Sequence, residues 1–158
     1  MELQGSPTAP GCRFAVIVAR FNEAITSGLL AGARRALAEA SVRDEDVTIV
    51  RVPGAFEIPV AARRAARTGR FDAVICLGCV IKGETMHFEY IAAAACQGIA
   101  EAAASTGVPM ALGVLTTLTE EQAYERAADG PGNKGREAAL AAVEMATLFR
   151  RFPEGVAG

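Results

Sequence analysis

A chain of 158 residues is long enough to bury one hydrophobic core and short for two domains. Apolar residues make up 51% of it and charged residues 22%, a composition that excludes a disordered chain. The net charge is −2 and acidic and basic side chains are interspersed, which excludes a basic nucleic-acid surface and a membrane-binding arm.

Short runs rich in valine, isoleucine and leucine alternate along the chain with helical patterns. In chain order, the prediction is strand 14–19, helix 26–40, strand 47–52, helix 57–68, strand 72–81, helix 88–105, strand 109–117 and helices at 119–128 and about 135–151. The first and third strands are nearly continuous apolar runs, which is typical of parallel strands covered on both faces. This alternation predicts an α/β three-layer sandwich with right-handed crossovers.

The sequence contains no repeat, linker or second domain. We therefore expect a flexible N-terminal segment at 1–12, a single α/β domain at 13–152 and a C-terminal tail at 153–158. The first residues lack the charged-then-apolar layout of a signal peptide, and the most apolar helical run is interrupted by polar residues, unlike a membrane span. Four cysteines without an export signal are typical of free thiols in a reducing compartment, so we expect a cytoplasmic protein.

Cys76 and Cys79 stand in C-x-x-C spacing, and the single histidine of the chain, His87, follows eight residues later. A zinc site needs about four ligands, but the other two cysteines form no second pair. A redox pair normally opens a helix, whereas these cysteines lie within a predicted strand, where residues three apart point to opposite faces. We therefore favour two free cysteines in or near a buried strand over a redox site, and we expect no metal.

The loops after the predicted strands hold most of the unusual residues, and ligands of such sheets bind beyond the carboxyl ends of the strands. After the third strand, Gly83 and Thr85 precede a helix N-terminus, a geometry that binds phosphate but is also that of an ordinary helix cap. His87 is there either a general base or a satisfied core histidine. Glu57 stands in an apolar turn, where it either faces a ligand or begins an exposed helix.

Two further features have a functional and a plain interpretation. Phe21, at the end of the first strand, either stacks on a planar ligand or belongs to the core. Arg126 and Lys134 flank a glycine-rich turn and either supply charge to a phosphate or lie on the solvated surface. The turn itself, GPGNKG, lacks the spacing, the Ser/Thr and the preceding strand of a Walker loop.

Five segments of the chain agree in order and spacing with one enzyme family. They are RFNEAIT, VPGAFEIP, LGCVIKGETMHFEY, GVLTTLTEEQAYERA and GNKGREAA, and the agreement runs from about Phe14 to Arg150. Through these motifs the chain closely resembles the 6,7-dimethyl-8-ribityllumazine synthases. The resemblance implies a flavodoxin-like αβα sandwich with a four-stranded parallel sheet in the order 2-1-3-4.

The resemblance also implies an activity, the penultimate step of riboflavin biosynthesis. In that reaction 5-amino-6-(D-ribitylamino)uracil condenses with 3,4-dihydroxy-2-butanone 4-phosphate to give 6,7-dimethyl-8-ribityllumazine, phosphate and water. The family uses no metal or redox cofactor, so none is expected here. A non-catalytic lumazine-binding relative would be expected to have lost His87, Arg126 or Glu57, and all three are present.

The resemblance carries over site residues by position. Phe21 would stack on the pyrimidine with Asn22 beside it, and His87 would transfer protons. The ring and ribityl chain would lie against Ala55, Phe56, Glu57, Cys79, Val80 and Ile81. The phosphate would bind at Gly83, Glu84, Thr85 and Arg126. Leu112 would close the ring pocket and Lys134 would stand in its basic rim; with Arg126, these two would come from a neighbouring subunit.

Two positions depart from the pattern of many relatives, which have Phe where this chain has Leu112 and Thr where it has Cys79. Stacking is lost at Leu112, while apolar contact remains. Glu84, a carboxylate in a phosphate-binding turn, fits if its side chain points away and only its amide is used.

The resemblance further implies self-association. Family members form homopentamers, some of which close into icosahedral shells of sixty subunits, and riboflavin synthase is a candidate partner. The turn between Arg126 and Lys134 is compact, which favours the shell over the free pentamer.

Overall fold

Among residues 1–153, which the computed structural model describes, four strands alternate with five α-helices. The strands are β1 (Phe14–Ala19), β2 (Val47–Val52), β3 (Ala73–Ile81) and β4 (Met110–Thr117). The helices are α1 (Glu23–Glu39), α2 (Ile58–Arg67), α3 (His87–Thr106), α4 (Glu120–Ala127) and α5 (Lys134–Phe149). Each predicted strand and helix is therefore present, with ends shifted by a few residues.

The four strands form one parallel sheet in the order β2-β1-β3-β4, which confirms the flavodoxin-like α/β fold. The central strands are covered on both faces, since all of β1 and all but the last residue of β3 are buried. Helices α2 and α3 cover one face, and α1, α4 and α5 cover the other. The continuous apolar runs in the sequence therefore predicted the central strands correctly.

Pairing between β1 and β3 ends before either strand ends. It runs from Phe14 opposite Ala73 to Val18 opposite Leu77. Strand β3 continues beside β4 for four more residues, as far as Ile81 opposite Thr117. The carboxyl-terminal end of β3 is therefore flanked by a strand on one side only, at the point where the strand order reverses.

Helix α1 begins at Glu23, three residues earlier than the sequence predicts. Asn22 before it has a left-handed backbone, with φ 61° and ψ 47°. Its carbonyl accepts hydrogen bonds from the amides of Ile25 and Thr26, both at 3.0 Å. The helix can start this early because asparagine tolerates a conformation that most residues with a side chain avoid.

A buried asparagine joins α1, α4 and α5. The side-chain amide of Asn133, only 2% exposed, donates to the carbonyls of Gly28, Ala127 and Ala128 at 2.9–3.1 Å. Its Oδ1 accepts from the amide of Arg136 and so caps α5. A Cβ at position 32 would collide with this side chain, which explains the glycine there. The predicted GPGNKG turn is therefore a structural junction of three helices.

The N-terminal segment contacts the rest of the chain. The amide of Ser6 donates to Oγ1 of Thr147 at 2.7 Å, and the amide of Ala9, itself buried, donates to the carbonyl of Ala40 at 2.9 Å. The division into a flexible segment, a domain and a tail stays a prediction, and the tail from residue 154 lies outside the described residues. No helix within residues 1–153 combines the length and the apolarity needed to cross a bilayer.

We predict that Asn133→Ala lowers the free energy of unfolding by about 3 kcal/mol, because buried carbonyls lose their donor and α5 loses its cap. Urea unfolding at one fixed protein concentration measures the change. Arg35→Ala is the control: it removes only an exposed ion pair with Asp129 and should cost less than about 1 kcal/mol. Equal losses in the two variants would contradict the structural role of Asn133.

Candidate active site

A cavity of about 330 Å³ opens at the carboxyl end of the sheet, where β1 and β3 separate. Its lining includes eight of the residues that the sequence predicts as site residues: Phe21, Ala55, Phe56, Glu57, Cys79, Val80, Ile81 and His87. They come from the loop after β1, the turn before α2, the end of β3 and the start of α3. The fold thus brings together positions up to 66 residues apart in the sequence, from Phe21 to His87.

Two phenylalanine rings at this cavity are exposed, although apolar rings are usually buried. Phe21 is 70% exposed and Phe56 is 62% exposed. The backbone of Phe21 is fixed, since its amide donates to the carbonyl of Pro53 at 2.9 Å. A large exposed ring on a fixed backbone at a cavity mouth can serve as a platform for a flat ligand. The alternative that Phe21 belongs to the core is therefore wrong.

Glu57 ends a single 3₁₀ turn, Ala55–Glu57, and lines the cavity. A Cβ added at Gly54 would lie 3.5 Å from Oε2 of Glu57 and 4.0 Å from Cβ of Phe21. Gly54 therefore leaves a space between the carboxylate and the platform. A carboxylate facing such a space can accept hydrogen bonds from ligand hydroxyl groups.

His87 is the first residue of α3, and its side chain is exposed at the cavity. The core-histidine interpretation is therefore wrong. Its backbone amide donates to Oγ1 of Thr85 at 3.4 Å. Among residues 1–153, no side chain holds the imidazole in a hydrogen bond or ion pair, so both ring nitrogens are accessible to a ligand for proton transfer.

The loop between β3 and α3 is exposed throughout and contains the predicted phosphate-binding residues Gly83, Glu84 and Thr85. These three do not line the cavity itself but lie between Ile81 and His87, which do. A Cβ at Gly83 would meet no atom within 4 Å, and its backbone is not left-handed. Nothing in the chain's own packing therefore requires glycine at this position, which leaves approach by a ligand as a reason for it.

The end of β3 presents backbone groups to the cavity. The backbone N–H and C=O groups of even-numbered residues in β3 point towards β4. The amide of Val74 donates to the carbonyl of Pro109, and the amide of Lys82, just after the strand, donates to the carbonyl of Thr117. Cys79 and Ile81 therefore face the side of β1. The carbonyl of Cys79 accepts from Nδ2 of Asn22 at 3.0 Å. The N–H and C=O of Ile81 lie beyond the end of β1, where no strand pairs with them.

The remaining predicted residues lie around a different cavity, of about 310 Å³, beside the outer edge of β4. Leu112, Arg126 and Lys134 line it together with residues of β4 and α5, and no residue lines both cavities. Leu112 is 53% exposed. A single chain thus brings the predicted site residues together in two separate groups.

The two cations of this second cavity differ in how far they are neutralised. Nζ of Lys134 lies 2.8 Å from Oε2 of Glu137, so its charge is already paired. Arg126 donates to the carbonyl of Gln122 at 3.0 Å, and its nearest carboxylate oxygen, on Glu125, is 4.0 Å away. Arg126 is therefore the better of the two for an anionic ligand.

Sequence similarity to known proteins shows the family of this chain. The family model for 6,7-dimethyl-8-ribityllumazine synthase matches residues 11–150. The chain belongs to this family. The 6,7-dimethyl-8-ribityllumazine synthase of Desulfatibacillum aliphaticivorans is 48% identical over 95% of this chain and 97% of its own length. That of Syntrophus aciditrophicus (strain SB) is 51% identical over 94% of this chain and 97% of its own length. The chain is thus a lumazine synthase-type enzyme of riboflavin biosynthesis.

Three residues of the first cavity were missing from the sequence prediction: Gly54, Phe88 and Ile91. Ile91 lies four residues after His87 and three after Phe88 on α3, spacings that make it a neighbour of both on the helix surface. That periodicity could have identified them once His87 was assigned to the cavity. Gly54 could have been identified from its place in the PGAFEIP loop.

The two cysteines in C-x-x-C spacing in this lumazine synthase family member, Cys76 and Cys79, are buried thiols. Cys76 packs in the core under α2 and α3 and Cys79 in the core under α1, α4 and α5, which confirms that they point to opposite faces. Burial raises the pKa of Cys76 to about 12 and that of Cys79 to about 11. Both are therefore neutral thiols at physiological pH, unlike a metal-binding or redox-active thiolate.

We predict that stability is lost from pH 9 upwards partly through these thiols. An unfolded thiol loses its proton near pH 9, whereas Cys76 in the folded state keeps its proton to about pH 12. The folded state therefore binds more protons in this range, and the free energy of unfolding should fall by up to about 1.4 kcal/mol per pH unit for one such group. Cys76→Ala should flatten a urea-unfolding profile between pH 8 and about 10.5. The partly exposed Cys96 is the control, and an equal effect of Cys96→Ala would contradict the assignment.

Proposed function

We propose that the chain condenses 5-amino-6-(D-ribitylamino)uracil with 3,4-dihydroxy-2-butanone 4-phosphate to give 6,7-dimethyl-8-ribityllumazine, phosphate and water. The main support is the cavity at the carboxyl end of β1 and β3. There an exposed phenylalanine, a carboxylate and the chain's histidine converge on strand-end backbone groups without a strand partner. These are the groups that a flat, hydroxylated substrate with exchangeable protons requires.

The pyrimidine would stack on Phe21 and meet the end of β3 with its edge. A uracil edge carries N–H donors beside C=O acceptors, and the N–H and C=O of Ile81 offer the complementary pair. Val80 and Cys79 would contact the ring through apolar groups, with Ala55 and Phe56 closing its other side. Glu57, across the space left by Gly54, would accept from ribityl hydroxyls.

The phosphate would lie at the turn before α3. Backbone amides of Gly83, Glu84 and Thr85 lead into a helix N-terminus, which favours an anion. The turn is exposed, so the Glu84 carboxylate has room to point away. A phosphate dianion also needs a nearby cation, and the first cavity is lined by the carboxylate of Glu57 and by no arginine or lysine.

That shortage of positive charge supports a site shared between subunits. The cation best suited to the phosphate, Arg126, lies at the second cavity with Leu112 and Lys134. We propose that a neighbouring subunit in a homopentamer supplies these three residues to the first cavity, Leu112 against the ring and Arg126 against the phosphate. A ring of subunits does this through one repeated head-to-tail contact. As the compact turn before Lys134 suggests, the pentamers would assemble further into a shell.

In the proposed reaction the free amine on the pyrimidine attacks the ketone, and loss of water gives an imine. Removal of a proton from the adjoining carbon then expels phosphate. The enol left by this elimination tautomerises to a ketone. The ribityl-bearing amine attacks this ketone, and loss of a second water closes the ring. His87 would carry protons in these steps, Arg126 would stabilise the departing phosphate, and the orientation of two reactive substrates would supply much of the rate.

The proposal is tested by mixing both substrates with the protein and measuring lumazine fluorescence against the uncatalysed background. We predict clear acceleration by the wild type and a loss in kcat of no more than roughly 100-fold in His87→Ala, the low end for acid–base catalysis. No acceleration by the wild type would refute the function. Complete loss in His87→Ala, with substrate binding intact, would refute the view that orientation dominates.

Sharing of the site is tested by mixing two damaged subunits. Glu57→Ala removes the carboxylate from the first cavity, and Arg126→Ala removes the guanidinium from the second. Each variant alone should therefore lose activity. Unfolded together and co-refolded in equal amounts, they should regain activity, because about a quarter of the interfaces in a randomly assembled ring join two intact halves. The control mixes the two variants after separate folding. Failure of the co-refolded sample to exceed this control would place the whole site within one subunit.

A further inference from the structure

We propose that Asn22 is a positioning residue: its side-chain amide sets the separation between the Phe21 platform and the end of β3, and so the width of the pyrimidine slot. This inference rests on the proposed function and refines it, because the resemblance placed Asn22 beside the substrate as a binding residue. The structure gives its amide a different partner, the carbonyl of Cys79, 57 positions away in the sequence.

The contact lies where the sheet no longer holds β1 and β3 together. Their pairing ends at Val18 opposite Leu77. Further along, Nδ2 of Asn22 reaches the carbonyl of Cys79 at 3.0 Å. Asn22 thereby replaces the missing ladder contact with a single side-chain hydrogen bond. This bond lies where the segments that follow β1 and end β3 begin to form opposite walls of the cavity.

Phe21 is tied to the same frame from its other side. The amides of Arg20 and Phe21 donate to the carbonyls of Val52 and Pro53 at 2.8 Å and 2.9 Å, which fixes them against the end of β2. The carbonyl of Asn22 accepts from the first turn of α1. The platform is therefore held towards β2 by backbone bonds and towards β3 by the Asn22 side chain.

Position 22 requires both a left-handed backbone and a side-chain hydrogen-bond donor, and asparagine supplies both. Its backbone is left-handed, with φ 61°, and its side chain must donate to the carbonyl of Cys79 at 3.0 Å. Glycine satisfies the first demand and has no donor. Aspartate also tolerates the conformation, but its ionised side chain only accepts. Those two substitutions therefore remove the contact while leaving the backbone conformation accessible.

The contact also affects which backbone groups a substrate can use. The carbonyl of Cys79 is already an acceptor for Asn22, so the N–H and C=O of Ile81 are the pair left on that side of β3. Asn22 would thus both fix the separation between Phe21 and the end of β3 and direct the pyrimidine edge to Ile81.

The experiment compares Asn22→Gly and Asn22→Asp with the wild type in steady-state assays that vary each substrate separately. We expect the KM for the ribitylaminouracil to rise roughly three- to tenfold in both variants, the effect of one lost hydrogen bond on binding. The KM for the butanone phosphate should stay within twofold. Ser41→Ala is the control, since Ser41 has φ 65°, is exposed and lies at the other end of α1. It strains the backbone far from the cavity and should change neither KM.

Several results would overturn the inference. They are an unchanged KM for the ribitylaminouracil in Asn22→Gly, equal rises for both substrates, or a loss in Ser41→Ala that matches the loss in Asn22→Gly at equal thermal stability. If Asn22→Asp does not fold, Asn22→Gly decides alone, because glycine takes the left-handed conformation without strain. A wild type that forms no lumazine would instead refute the proposed function, so the two failures are distinguishable.

Discussion

The early end of the pairing between β1 and β3 is the constraint on which the candidate site depends. Parallel strands that stayed paired to their tips would have used the backbone groups of Cys79 and Ile81 in the ladder. Since β1 turns away after Ala19, the tip of β3 is left with one neighbour, β4. The gap receives the loop after β1, the turn before α2 and the first turn of α3. Cavity, platform and histidine all follow from this single divergence.

The fold could be predicted from the sequence because one physical signal dominates it. Runs such as FAVIVA and AVICLGCVI are apolar throughout, so they had to be covered on both faces, and the helices between them had to supply the cover. Parallel topology then places every loop after a strand at one edge of the sheet. Residues as distant as Phe21, Glu57 and His87 could therefore be assigned to one place without coordinates.

Other features were beyond that signal because they depend on individual geometry. Hydrophobic periodicity does not show that Asn22 is left-handed or that its amide reaches Cys79. It also does not show that the asparagine of GPGNKG is buried under three helices, since that loop looks like solvated surface. The separation of Leu112, Arg126 and Lys134 from the other site residues came from family resemblance alone, because no local pattern distinguishes a shared site from a complete one.

The division of the candidate site into two cavities affects when a newly synthesised chain can become active. A folded chain on its own has Phe21 and His87 at one cavity, whereas Arg126 lies at another. If the halves meet only between subunits, catalytic competence begins with assembly and not with folding. Activity would then rise faster than in proportion to protein concentration at high dilution. In a cell that makes the protein slowly, there would be an interval in which the chains are folded and abundant enough to detect but still catalytically inactive.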